Sequence, residues 1–438
     1  MKTCNKPMRP QPDLMYRTGI RLWVGVAAVL CSAQTLSAQA VRQLTLREVI
    51  RQVQEKSPEL RAERLNQDLA KADVLTAGLR PNPSLNNQSL QLMQPSHFPE
   101  GTNAINRKNR QIWWQLTTPV NVAGQRQKSV ALAEETVELN RLNYAETERN
   151  LLRSAAQTWL DAWSAYQTVV YTERLQHNLD TLVQISDVRL RNQVITQTDR
   201  SRTQLLADQY RLRGRTARQA YQNQLTRLRY LLQTTDSLEV DRMDSLFFRP
   251  ADWLTDKDVS GLAQDRADVR AAGQAITVAQ RNADLQQALR IPRPELGAIY
   301  NPQNGVPYLG FYGTMALPFF NKNQGEIRKA RIAEDQSRQV AGYTRRQALT
   351  EGQVALRNYT TQRDNLTRYA AIRQQGAAVL ASVRYAYFRG GTAIVDFLEA
   401  QRAMLSIEEE YLATEVAYRQ AFIDLLFVTG QIQRIANP

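Results

Sequence analysis

One pattern occurs twice in this chain of 438 residues, and that repetition constrains the fold more than any single motif does. Each copy runs from a helical stretch through a proline-bounded alternating segment, a turn and a second alternating segment into a very long, polar helix pair. Leu79-Arg80-Pro81-Asn82-Pro83-Ser84-Leu85 and Thr118-Pro119-Val120-Asn121-Val122-Ala123-Gly124-Gln125-Arg126 mark the first copy. Leu289-Arg290-Ile291-Pro292-Arg293-Pro294-Glu295-Leu296 and Leu317-Pro318-Phe319-Phe320-Asn321-Lys322-Asn323-Gln324-Gly325-Glu326 mark the second, in the same order. The expected organisation is a first repeat over 41–233, a linker over 234–259, a second repeat over 260–430 and a short tail over 431–438.

From Thr45 to Leu79, the residues Leu46, Val49, Ile50, Val53, Leu60, Leu65, Leu69 and Ala72 recur every three or four positions, the period of a helix, with a break at Pro58. Pro81 and Pro83 end it, because proline lacks the amide proton and drives the preceding residue out of the helical region. The period then falls to two, with β-hairpins expected at about 83–118 and 294–318. In the first, Ile112, Trp114 and Leu116 share one face while Gln111, Gln115 and Thr117 share the other, and residues 95–109 form the loop. In the second, Leu309, Phe311, Met315 and Leu317 oppose Gly310, Thr314 and Ala316, around a turn Asn301-Pro302-Gln303-Asn304-Gly305. Strands of roughly nine to eleven residues have the length a tilted membrane-spanning strand needs. Four of them cannot close a barrel, and each unpaired backbone group in hydrocarbon costs several kcal/mol. Strands placed in a membrane therefore require several copies of the chain in one barrel.

The helices after each hairpin are long. No proline or glycine interrupts Gln125 to about Gln193, a rod of ~100 Å at ~1.5 Å per residue. Leu152, Ala155, Trp159, Ala162, Tyr166 and Val169 alternate steps of three and four, the seam of a coiled coil. The second counterpart runs from Gly325 to about Tyr387, and its return helix spaces Leu398, Leu405 and Leu412 seven apart. Between the copies, Asp236, Asp241, Asp244, Pro250 and Asp252 suggest an irregular linker that packs through Phe247, Phe248 and Trp253. The fold class is mainly α with a small β part: duplicated long coiled-coil hairpins plus two β-hairpins. An isolated antiparallel coiled coil has the same periodicity.

The mean hydropathy of −0.48 and the absence of a run of ~20 apolar residues beyond the N-terminus exclude a helical membrane protein. Residues 1–40 read as a signal peptide: Arg17 and Arg21 precede the apolar stretch Leu22 to Leu30, and Ser37, Ala38 and Ala40 place cleavage near 38–40. Met15 stands just before the arginines as an alternative start. Both cysteines, Cys4 and Cys31, fall in this segment, so the mature chain is expected to hold no thiol. Cys31 follows a bulky leucine where lipoprotein processing prefers a small residue, and reads as an ordinary residue of the signal. The net charge of +14 falls to +10 once residues 1–40, with five basic residues and one acidic, are removed. Its arginines are scattered among glutamates and glutamines with no basic block, so no nucleic acid is expected.

The segment Tyr387-Phe388-Arg389-Gly390-Gly391-Thr392-Ala393-Ile394-Val395-Asp396-Phe397-Leu398-Glu399-Ala400-Gln401, with the later Leu425-Leu426-Phe427-Val428-Thr429-Gly430, closely resembles the second periplasmic turn of TolC-family outer-membrane efflux channels. With the duplicated order of strand pairs and helices, the resemblance covers nearly all of the mature chain. Arg80-Pro81-Asn82-Pro83 and Asn321-Lys322-Asn323-Gln324-Gly325 are most similar to the cobalt-zinc-cadmium branch, which serves heavy-metal pumps of the resistance-nodulation-division class. The family implies a homotrimer with twelve strands in one barrel in the outer membrane of a Gram-negative bacterium, above a helical tunnel through the periplasm. It also implies a periplasmic adaptor protein and an inner-membrane pump as partners, outer-membrane lipid around the barrel, and heavy-metal cations as one possible cargo.

Within that resemblance, Asp396 and Glu399 match the carboxylate ring of the periplasmic gate. Spaced i and i+3, they point to nearly one face. The competing reading gives Asp396 to its own helix N-terminus and pairs Glu399 with Arg402 or Arg384. Tyr387, Arg389, Gly390 and Gly391 of the second turn, and Thr196 and Thr198 of the first, are expected at an adaptor contact, or in a latch between neighbouring helices. The first turn, Gln193-Val194-Ile195-Thr196-Gln197-Thr198-Asp199, has no glycine where Gly390 and Gly391 serve the second, so a left-handed turn is harder to make there. His97 and His177 stand far apart in sequence and no mature cysteine joins them, so no metal site or cofactor is expected. No nucleophile sits beside a base and no glycine loop cradles phosphate, so the chain reads as no enzyme. The alternative is a periplasmic coiled-coil adaptor or scaffold without a pore; adaptors carry one helical hairpin flanked by strands, whereas here the hairpins occur twice.

Overall fold

The computed structural model describes residues 42–241, 254–303 and 305–436. The signal segment, both cysteines, and the Asp244, Phe247, Phe248, Pro250, Asp252 and Trp253 of the linker lie outside the described residues. The chain begins with a short strand β1 (Arg42–Leu44) and helices α1 (Leu46–Lys56) and α2 (Pro58–Gly78). A capping box starts α1, with Thr45 Oγ1 accepting from the Glu48 amide and the Glu48 carboxylate accepting from the Thr45 amide. Ser57 then caps α2, and Pro58 fills its first position, where no amide proton is needed.

Strands β2 (Ser84–Gln91) and β3 (Arg110–Pro119) lead into the long helix α3 (Gln125–Arg191) and its return α4 (Gln197–Leu232). The second copy repeats the order: α6 (Ala267–Ala288), β5 (Glu295–Gln303), β6 (Val306–Thr314), α7 (Gln324–Phe388) and α8 (Ile394–Val428). Between the copies, the linker is less irregular than its composition suggests. Strand β4 (Leu238–Val240) pairs in parallel with β1, and helix α5 (Asp256–Gln264) begins at a Thr255–Asp258 capping box. Three residues are too few to show a period, so only burial of Leu238 and Val240 reveals the strand.

Each long helix serves two partners in turn. The first part of α3 runs antiparallel to α2, where Arg64 meets the Tyr144 hydroxyl, and beside α6, where Gln274 binds Glu135. Its second part pairs with α4 through Glu173–Arg218, Asp180–Arg211 and Asp187–Arg200. In the second copy α7 does the same with α6 and α8.

The buried core lies at two levels. A belt halfway along the rods joins Leu44, Leu46, Ile50, Trp159, Leu228, Ile423 and Ile432, and the indole Nε1 of Trp159 donates to the Leu44 carbonyl at 2.9 Å. A second cluster gathers Leu179, Leu182, Leu206, Tyr387, Phe397 and Leu398 near the helix ends. Of the coiled-coil residues, Leu152, Ala155, Trp159, Ala162 and Val169 are buried and Tyr166 is half-buried, but Leu65 and Leu69, on the expected apolar face of α2, stay exposed.

Candidate functional site

All four long strands form one antiparallel sheet in the order β2-β3-β5-β6, so the two hairpins join across β3 and β5. The second turn is tighter than the sequence suggested. Asn301, Pro302 and Gln303 belong to β5 and pair with Tyr308, Pro307 and Val306, leaving a two-residue connection in which Gly305 has φ 86°. Strand β6 ends at Thr314, so Met315, Ala316 and Leu317 lie in the connector beyond it.

Register sorts the sheet into two unlike faces. Leu85, Leu116, Ala298 and Phe311 line up in one row, and Trp114, Tyr300 and Leu309 continue the same face. These large side chains are exposed, Phe311 completely so at 100%. The opposite face is mixed: Asn86, Gln88, Gln111, Gln115, Thr117, Asn301 and Gln303 share it with Leu90, Trp113, Ile299, Val306, Tyr308 and Tyr312, and Glu295 is its one charge. The outer edges of β2 and β6 have no partner strand among the described residues. With large exposed apolar side chains on one face, a mixed second face and two edges unpaired among the described residues, the sheet has the form of a wall segment.

Gly297 permits the join between the hairpins. A Cβ there would overlap the Leu116 carbonyl and lie 2.8 Å from Thr117 Cα, so only glycine lets β5 approach β3 this closely.

The wall meets the rods through a device present in both copies. Gly124 takes φ 68° just before α3, and Gln125 Oε1 reaches back to accept from the Ala123 amide at 3.1 Å. Asn323 takes φ 60° before α7, and Gln324 Oε1 accepts from the Lys322 amide at 2.7 Å. The structural counterpart of Gly124 is therefore Asn323 and not Gly325. Gln125 is buried and donates across to the Ile291 carbonyl at 3.0 Å, tying the two copies together.

At the far end of the rods the two turns share one geometry despite unlike sequences. Gly390 takes φ 78° and the Gly391 amide donates to the Ala386 carbonyl at 2.9 Å. Gln193 takes φ 59° and the Val194 amide donates to the Arg189 carbonyl at 2.9 Å. Both are the left-handed cap that satisfies the last carbonyls of a helix. The first turn makes it without glycine, against expectation, and carries the strain on Gln193. After each turn an aspartate caps the return helix. Asp199 accepts from the Thr196 hydroxyl at 2.7 Å and from the Thr196 amide at 3.2 Å. Asp396 accepts from the Thr392 hydroxyl at 2.6 Å and from the Ala393 amide at 3.3 Å.

Asp396 thus has a helix-capping role and stays exposed beside Glu399. Among the described residues Glu399 forms no ion pair with Arg384 or Arg402. Thr198, Arg389, Gly390 and Gly391 are exposed on the turns, and the Arg389 guanidinium lies over the Tyr385 ring at 4.7 Å. Tyr387 is placed differently from an adaptor contact. It is 3% exposed, stacks on Phe397 at 5.2 Å and 11°, and offers no surface to a partner.

What covers Tyr387 is Arg189, from the other copy. Its guanidinium sits 4.4 Å from the centre of the Tyr387 ring and donates to the Tyr387 and Phe388 carbonyls at 3.5 and 3.3 Å. Those carbonyls are at the end of α7, where a cation is favoured by the helix dipole. Sequence reasoning missed this residue because its partners lie 198 and 199 positions away. Higher on the rods, the buried Tyr171 hydroxyl donates to the Leu405 carbonyl at 3.0 Å, and burial pushes its pKa far up, so it stays neutral. No group of residues able to hold a metal ion is found among the described residues.

This arrangement is the fold of outer-membrane channels. The chain is similar to the solved structure of CusC, described for its folding and transmembrane channel formation, at 16% identity over 98% of both chains with a TM-score of 0.74. It is also similar to the Campylobacter jejuni CmeC outer membrane channel, at 14% identity over 97% of this chain and 94% of that one, TM-score 0.74. The open state of the Neisseria gonorrhoeae MtrE outer membrane channel aligns at 16% identity over 90% and 91%, TM-score 0.70. No curated protein matches the chain in sequence. Residues 259–431 match the family model of the outer membrane efflux protein, so the second repeat carries that family's sequence signature directly.

Proposed function

We propose that this protein is the outer-membrane channel subunit of a tripartite efflux system, a passive conduit without enzymatic activity. Three copies contribute four strands each to a twelve-stranded barrel, and their helical hairpins form a tunnel through the periplasm of a Gram-negative cell. The observation that carries this reading is the four-stranded sheet with one apolar face and two unpaired edges, which hydrocarbon tolerates only in a closed barrel. The exposed Leu65 and Leu69 stripe on α2 is then a contact between copies. An adaptor protein docks at the exposed turns around Thr196, Thr198, Arg389, Gly390 and Gly391, and a pump of the resistance-nodulation-division class delivers the cargo.

Asp396 and Glu399 form the carboxylate ring of the periplasmic gate. Heavy-metal cations are one possible cargo, conducted through weak contacts with these carboxylates. Detergent extraction and sizing test the reading. A detergent-dependent trimer that conducts ions across a planar bilayer is expected. Recovery as a water-soluble periplasmic monomer would favour the scaffold alternative and remove the channel.

A further inference from the structure

The four connectors at the base of the sheet, residues 79–83, 120–124, 289–294 and 315–323, hold Arg80, Arg290, Arg293 and Lys322 and not one acidic residue. In the chain as a whole the ratio is 56 basic to 42 acidic, so one-signed connectors are a local property. All four cations are exposed, and among the described residues none forms an ion pair. The same connectors expose Ile291, Leu317, Phe319 and Phe320, the last two at 72% and 95%. They also hold Pro81, Pro83, Pro292, Pro294 and Pro318, which fix the backbone that presents these side chains.

From this we infer that the connectors form a collar that binds the anionic phospholipid headgroups of the leaflet facing the helices. The inference rests on the reading of the sheet as membrane-embedded. Under it, the collar continues the apolar face of the sheet downward to where hydrocarbon meets headgroups. Aromatic and aliphatic groups sit at that boundary, while arginine and lysine extend their charge to the phosphates on apolar stems. A docking surface for an acidic protein would not need its cations interleaved with exposed phenylalanines. Anionic lipid satisfies both halves of the surface at once.

The test is insertion of the purified trimer, diluted from detergent, into vesicles of phosphatidylcholine alone or mixed with phosphatidylglycerol. Insertion is read by flotation and protease protection, at low and high salt. The comparison protein combines Arg80→Gln, Arg290→Gln, Arg293→Gln and Lys322→Gln, whose exposed, unpaired side chains are dispensable for folding. The wild type is expected to insert on the order of tenfold better into the phosphatidylglycerol mixture, with the preference lost at high salt and in the variant. Both proteins insert equally into neutral vesicles. Equal insertion of the wild type into both compositions overturns the collar and leaves the channel standing. A preference that survives in the variant assigns the charge sensitivity elsewhere and overturns the collar too. Insertion into neither kind of vesicle overturns the membrane reading and the collar with it.

Discussion

Replacing Arg189 with alanine separates the two turns of one subunit. The residue makes two charged hydrogen bonds that are long, at 3.3 and 3.5 Å, and one of them is solvent-exposed, so together they contribute about 1 kcal/mol. Its stacking on the Tyr387 ring at 4.4 Å adds about 0.5–1 kcal/mol. The loss of about 1.5–2 kcal/mol shifts the balance between joined and parted turns by roughly 10–30-fold in each subunit. Arg189→Lys keeps the charge but loses the planar fork, and should fall about midway. Conductance of the purified channel in planar bilayers reads the change as longer open times, and helical circular dichroism reads a lower melting temperature. Combining Arg189→Ala with Tyr387→Leu should cost less than the sum of the two single changes, by about the 0.5–1 kcal/mol of the stacking they share; the loss of the Tyr387 packing on Phe397 adds to it. An Arg189→Ala channel with unaltered conductance and melting would refute the argument that this contact joins the copies.

Four further outcomes follow from single contacts. Gly297→Ala places a Cβ against the β3 backbone and should cost at least ~3 kcal/mol, preventing the heat-resistant trimer from forming on a semi-native gel. Gln193→Gly relieves a left-handed side chain and should stabilise the first turn by about 0.5–1 kcal/mol, measured as a higher melting temperature. Tyr387→Phe removes a buried hydroxyl that has no hydrogen-bond partner in the described structure, so its melting temperature should hold or rise; a marked fall would mean the hydroxyl is paired. Asp396→Ala with Glu399→Ala should raise closed-state conductance and weaken block by multivalent cations. Since Asp396 also caps α8, Asp396→Asn is the control that keeps an acceptor at the helix start.

Much of this architecture is written in local patterns. Proline positions, the switch between periods of 3.6 and two, and a glycine-free run from Gln125 onward define where rods and strands lie, because backbone sterics act over a few neighbours. Strand length and the intolerance of hydrocarbon for unpaired edges lead from those patterns to a shared barrel. The Thr196–Asp199 capping box, and its equivalence to the cap made by Asp396, came only with the structure. Three further features appear only in three dimensions. Asn323 replaces Gly124 in the joint between sheet and rod because asparagine also tolerates a left-handed backbone. The short β1–β4 pair needs burial from both chain segments to exist. Arg189 meets Tyr387 only because two hairpins, nearly two hundred residues apart, end side by side. Sequence alone determined the long rods and the four long strands, since each depends on its neighbours along the chain. The tertiary structure decided which charge, ring and glycine join the two copies, since those contacts form between segments that local forces never compare.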